Sequence, residues 1–239
     1  MRPLGAAVAE VTAPVEVSIE QRRVTAMAAA LLLAYPDPEE APARFEAVSE
    51  QLHTLPAAVR AEFEAFFAAT HALSARELAA HYVETFDQRR RCCLFLSYYL
   101  AGDTRKRGAA ILAFRDRLRD LGIVEISEEL PDHLCVVLEA LALADDAHHE
   151  AAVELVAAHR EGVEVLKSAL DAVGSAYAHV VRAVAMVLPE IDASTVDRYV
   201  TLITAGPPAE VVGVEQLGIP LPDPIRTAYP PMLKGDHHV

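Results

Sequence analysis

From Ile19 onward the apolar residues recur with a helical period, broken by short turn signals. Ile19 to Leu33 predicts a first helix, stopping ahead of Tyr35 and Pro36 because the residue before a proline avoids the α conformation. Asp37-Pro38-Glu39-Glu40 supplies a cap, a first-turn proline and first-turn acids for a second. A third follows Pro56, with Phe63, Phe66 and Phe67 to one side. Ser74-Ala75-Arg76-Glu77 has the form of a capping box, and Leu78, Tyr82 and Phe86 recur every four residues behind it. Further helices are predicted from about Arg89 to Ala101, ending at Gly102, and from Asp103 or Thr104 to Leu121-Gly122. Others are expected from about Pro131, from Ala147 to Val173, from Tyr177 to Leu188 and from Thr195 to Thr204. No strand alternation competes. The pattern predicts an all-α, single-domain helical bundle of about nine to ten helices over residues 19–205.

The ends differ from this body. Residues 1–18 carry a weak Val/Ala/Glu-rich pattern and read as a flexible arm. Residues 206–239 hold seven of the fifteen prolines, a density that excludes a packed helix and predicts an extended or disordered tail.

Composition adds limits. The 239 residues are 53% hydrophobic, enough for a sizeable core. A formal net charge of -14 disfavours nucleic acid and anionic membrane surfaces as partners. The apolar run Ala26 to Tyr35 is far short of the ~20 residues that span a bilayer. Three cysteines (Cys92, Cys93 and Cys135) without paired spacing fit a reducing cytoplasm.

Charge and aromatic residues are unevenly spread. Nine basic residues lie between Gln88 and Arg119, and twelve acids between Glu125 and Asp171, where only Arg160 and Lys167 oppose them. This is either two solvated helix faces or an acidic surface that steers a basic peptide. Tyr82, Phe86, Phe95, Tyr98, Tyr99 and Phe114 form either core packing or an aromatic-lined groove. Asp145-Asp146-Ala147-His148-His149-Glu150 lacks a second cluster to complete a metal site, and adjacent Cys92-Cys93 lacks the spacing for one. No phosphate-binding loop, nucleophile elbow or zinc-protease motif occurs. The residues therefore point to a binding protein, not an enzyme, with no catalytic residue, metal or cofactor of its own.

Several strings in register carry a resemblance. Tyr82-Val83-Glu84-Thr85-Phe86-Asp87, Arg90-Arg91-Cys92-Cys93-Leu94 with Tyr98-Tyr99, Gly102-Asp103-Thr104-Arg105-Lys106-Arg107-Gly108 and Glu129-Leu130-Pro131-Asp132-His133-Leu134 resemble the respiratory nitrate reductase assembly chaperones, the NarJ family or delta subunit. The match covers about residues 80 to 140. It implies an all-helical cytoplasmic chaperone that binds the N-terminal segment of the apo catalytic (alpha) subunit of nitrate reductase. That subunit would be held competent for molybdenum cofactor and iron–sulfur cluster insertion before membrane docking, with the chaperone absent from the finished enzyme. By position, Tyr82, Phe86, Tyr98, Tyr99, Asp132, His133 and Glu139 are implied to meet the peptide, and Asp103, Arg105 and Pro131 to be structural. Two other readings stay open: a helical adaptor for another client, and a small enzyme using Asp132 and His133 as an acid–base pair.

Overall fold

The computed structural model describes residues 11–102, 104–123 and 129–190. Those residues are all-α: α1 Ile19–Leu33, α2 Ala41–Gln51, α3 Ala57–Thr70, α4 Ala75–Tyr82, α5 Leu96–Ala101, α6 Lys106–Asp120, α7 Leu134–Leu143, α8 His149–Ala157, α9 Arg160–Val173 and α10 Tyr177–Met186. The expected helix over Thr195 to Thr204 and the tail from Gly206 lie outside the described residues.

Local signals set most boundaries. Ser74 and Glu77 close the capping box at α4, and Ser18 with Gln21 closes a second at α1. The four-residue recurrence through Phe86 is carried past α4 by a π-helical turn, Val83–Asp87. Three expectations need correction. The second helix begins at Ala41, not at Pro38, because residues 38–40 form a turn in which Asp37 Oδ1 accepts from Glu39 N at 2.8 Å. The helix predicted from Arg89 is only Leu96–Ala101, because residues 93–95 run extended toward a distant segment after a 3-10 turn at Arg90–Cys92. The predicted 147–173 helix is two, broken where His159 takes a tight bond to the Val156 carbonyl and turns its Nδ1 to Leu155 O at 2.8 Å.

At the centre of the bundle, α1 packs along α7 and α10, and α10 lies against α3 and α9. Ala26, Ala28, Ala29 and Ala30 let neighbouring backbones approach α1 closely, and Leu32 and Leu33 fill the space beyond. Each such leucine contributes about 1.5–3 kcal/mol by leaving water.

Residues 11–18, the second half of the expected arm, lie against this body. Val15 N donates to Met186 O at 2.7 Å, and Val11, Val15 and Val17 pack on the core. Thr12 is held by a buried charged cluster on one face of α9. Its N–H and hydroxyl both donate to the Glu164 carboxylate at 3.1 Å, and its carbonyl accepts from Arg160 Nη2 at 2.6 Å. Lys167 Nζ completes the cluster 2.7 Å from Glu164 Oε2. The periodicity of so short an extended stretch gave no sign of this, since its partners are long-range.

Candidate functional site

Two of the strings that carry the resemblance meet through backbone pairing. Leu96 N donates to Asp132 O at 2.9 Å and Leu134 N to Leu94 O at 2.8 Å, an isolated antiparallel bridge between Phe95 and His133. This pairing delivers Asp132 to the start of α5. Its Oδ2 accepts from Ser97 Oγ at 2.5 Å and from Ser97 N at 3.3 Å, where a carboxylate also suits the positive end of the helix. Asp132 and Ser97 are fully buried. Asp132 Oδ1 is buried and has no hydrogen-bond partner among the described residues.

His133 does not bond Asp132. It stands at the N-cap of α7, which begins at Leu134, and its Nδ1 accepts from Cys135 N at 3.3 Å. That bond requires an unprotonated Nδ1, and burial holds the imidazole pKa below its ordinary value although Glu129 and Asp132 pull it upward. Phe95 meets the His133 ring edge-on at 5.1 Å, and the Arg107 guanidinium sits over Phe95 at 5.2 Å. Arg107 Nε also donates to Ser97 Oγ at 3.3 Å, tying the first turn of α6 to the same centre. His159, whose pKa burial likewise lowers, closes the far side through a 4.4 Å ring contact with Phe114.

Four residues of the aromatic cluster fall into two buried groups. Tyr82 and Phe86 surround Tyr177 at 5.8 and 4.9 Å, and the Tyr82 hydroxyl donates to Leu33 O at 3.1 Å. Tyr99 is wedged against α9 and donates to Cys93 O at 2.7 Å; Tyr98 packs edge-on to it at 5.7 Å. All four are buried. Both faces of α5 are covered, which is how two adjacent tyrosines come to be inside together.

The acidic run also divides. Glu161 and Glu164 are buried with Arg160 and Lys167, so they belong to no solvated face. Glu139, Asp145, Asp146, Glu150 and Glu154 stay at the surface. Partial burial raises the Glu139 carboxyl above its ordinary pKa. Glu125 and Glu128 lie outside the described residues, as does Asp103. Arg105 is exposed at the start of α6, and Pro131 is buried beside Asp132. Asp145 Oδ1 pairs with His148 Nδ1 at 2.8 Å in a local turn, and no three His, Cys, Asp or Glu side chains among the described residues gather to hold a metal. No helix among those residues is long and apolar enough to cross a membrane.

Sequence reasoning brought Asp132 and His133 forward but missed Ser97, Arg107 and His159. Ser97 and Arg107 each sat inside or beside a motif already quoted, so position in the motif was the available signal. For Arg160, Glu164 and Lys167 the signal was spacing, since i, i+4 and i+7 share one helix face. Their alternating sign marks a network more than a solvated stripe.

Comparison with known proteins places these residues in a family. The profile described as "Nitrate reductase delta subunit" matches residues 50–183, a wider span than the motifs alone. The chain is 42% identical over 106 residues to a Mycobacterium tuberculosis protein named "Nitrate reductase-like protein NarX", covering 44% of this chain but only 16% of that protein. It is 30% identical over 173 residues to the Bacillus subtilis "Probable nitrate reductase molybdenum cofactor assembly chaperone NarJ", covering 71% of this chain and 91% of that one. An Escherichia coli K12 "Nitrate reductase molybdenum cofactor assembly chaperone NarJ" is 40% identical over 63 residues, 26% of this chain and 27% of the relative. With more than half of its length matched by the family and most of the Bacillus protein aligned to it, the chain belongs to the nitrate reductase delta subunit family, the NarJ family.

Proposed function

We propose that this protein is a dedicated assembly chaperone for a respiratory nitrate reductase. It binds the N-terminal region of the apo catalytic subunit in the cytoplasm and keeps it open to molybdenum cofactor and iron–sulfur cluster insertion. It then leaves, and it catalyses no reaction itself. The observation that carries this reading is the similarity along 91% of a relative named as such a chaperone. The site geometry supports it over a small enzyme. Asp132 is bonded to Ser97 and His133 to the α7 backbone, so neither is arranged as the other's acid–base partner.

The surface acids Glu139, Asp145, Asp146, Glu150 and Glu154 are the groups able to steer a basic client segment toward the chain. The buried set of Tyr98, Asp132 and His133 meets the client only once its cover moves. A pull-down from nitrate-grown cells tests the function. The catalytic subunit is expected as the main partner, and a deletion strain should hold reductase subunits that are present but poor in molybdenum cofactor. Normal cofactor occupancy without this protein would overturn the reading, and capture of a different main client would favour a general helical adaptor.

A further inference from the structure

α6 reaches the centre formed by Ser97, Asp132 and His133 through Arg107, and α6 is thinly anchored. Of its fifteen residues only Phe114 and Leu118 are buried, against seven in the equally long α1. Its outer face carries Leu112, 55% exposed, so α6 has apolar residues on both sides and loses less than an ordinary amphipathic helix when its surroundings change. At its first turn Arg107 reaches inward, with its guanidinium over the Phe95 ring and its Nε on Ser97 Oγ. That hydroxyl is the one that donates to Asp132.

A ring face, a hydroxyl and a buried carboxylate together form a place that accepts a cation. In this structure the chain's own Arg107 occupies the ring face and the hydroxyl. The second oxygen of Asp132 is buried without a partner among the described residues, an acceptor whose desolvation nothing there offsets.

We infer that α6 is a latched cover held by Arg107, and that an arginine or lysine of a partner polypeptide opens it by taking Arg107's place on Phe95 and Ser97 and bonding Asp132 as well. This rests on the reading above that a client segment binds here. Exchanging one cation for another keeps the ring and hydroxyl contacts, so those two contacts do not oppose the displacement. A cation that also bonds Oδ1 supplies the partner this buried oxygen lacks among the described residues, which favours the exchange. The arrangement explains how the motif residues can be both buried and available: they are closed in the unbound chain and open in the complex.

Hydrogen exchange of the full chain reads the latch without any client. Arg107→Ala and Arg107→Gln should speed exchange across residues 106–120 by about tenfold, the scale expected for losing one charge-assisted hydrogen bond. Exchange in α1 and α10 should not change, and Arg107→Lys should retain most of the protection. A labelled peptide from the N-terminal region of the nitrate reductase catalytic subunit then reads the site. It should bind Arg107→Gln several-fold more tightly than the parent chain, and the gain should vanish when the peptide's own Arg and Lys are replaced by Gln. Unchanged exchange in 106–120 overturns the latch. Faster exchange with unchanged peptide affinity overturns the claim that α6 gates the site. Faster exchange with no binding to any variant upholds the latch and removes the client reading instead.

Discussion

Thr12 and Glu164 stand 152 residues apart in the chain, and two hydrogen bonds of 3.1 Å join them inside the protein. Glu164 is paired with both Arg160 (3.5 Å) and Lys167 (2.7 Å). Arg160 in turn donates through Nη1 to the carbonyls of Leu188, at 2.7 Å, and Pro189. The segment leading into α1 and the segment leaving α10 are thus fastened to one face of α9.

Removing the carboxylate leaves two buried cations facing each other. Breaking a buried ion pair from one side costs on the order of 3–5 kcal/mol, because the remaining charges stay out of water without the carboxylate that neutralised them. Glu164→Ala is therefore expected to lower the melting temperature substantially and to speed hydrogen exchange at residues 11–17. A melting temperature equal to that of the parent chain would show that this cluster does not hold the segment.

Gly162 offers a test in which two local rules oppose each other. In an exposed helix interior, alanine for glycine gains about 1 kcal/mol. Here a Cβ would lie 3.0 Å from Tyr99 Cδ2 and 3.1 Å from Tyr99 Cβ. The ring cannot retreat easily, since its hydroxyl is bonded to the carbonyls of Cys93 and Arg91 at 2.7 and 3.2 Å. Overpacking a full core costs roughly 1–3 kcal/mol, so packing outweighs propensity. Gly162→Ala should be destabilised in thermal or urea unfolding; a stabilised variant would mean that Tyr99 has room to move.

Buried His133 and half-buried His159 contribute to an acid limit, together with buried His149, whose pKa burial also lowers. Burial lowers the folded-state pKa of His133 and His159, while the unfolded chain takes up protons near the ordinary value of about 6.5. Their neutral forms are therefore no burden above about pH 6.5. As pH falls below that value the unfolded state gains protons the fold excludes, and stability declines until the folded groups protonate as well. The slope is at most about 1.4 kcal/mol per pH unit for each histidine. Melting temperatures should be level from pH 8 to 7 and fall between pH 6.5 and 5. A flat response across that lower range would show that none of these rings is excluded from protonation.

The sequence by itself determined the fold class and most helix boundaries, because these follow from short-range physics. Ser74 and Glu77 cap α4 within one turn, and Gly102, at φ 57°, ends α5 with a backbone conformation open chiefly to glycine. It also supplied the family, since the strings around Tyr82, Tyr98 and Asp132 hold their order and spacing without reference to any contact. Which way those residues face was decided only in three dimensions. Tyr98 and Tyr99 can occupy a groove or a core with the same spacing, and packing on both sides of α5 put them inside. Asp132 and Ser97, 35 residues apart, are joined by a bridge between segments too short to show strand alternation. Glu164, one acid among twelve in sequence, became the buried partner of Arg160, Lys167 and Thr12. The spacing of those three charges places them on one helix face, but whether that face is buried depends on what the rest of the chain brings to it.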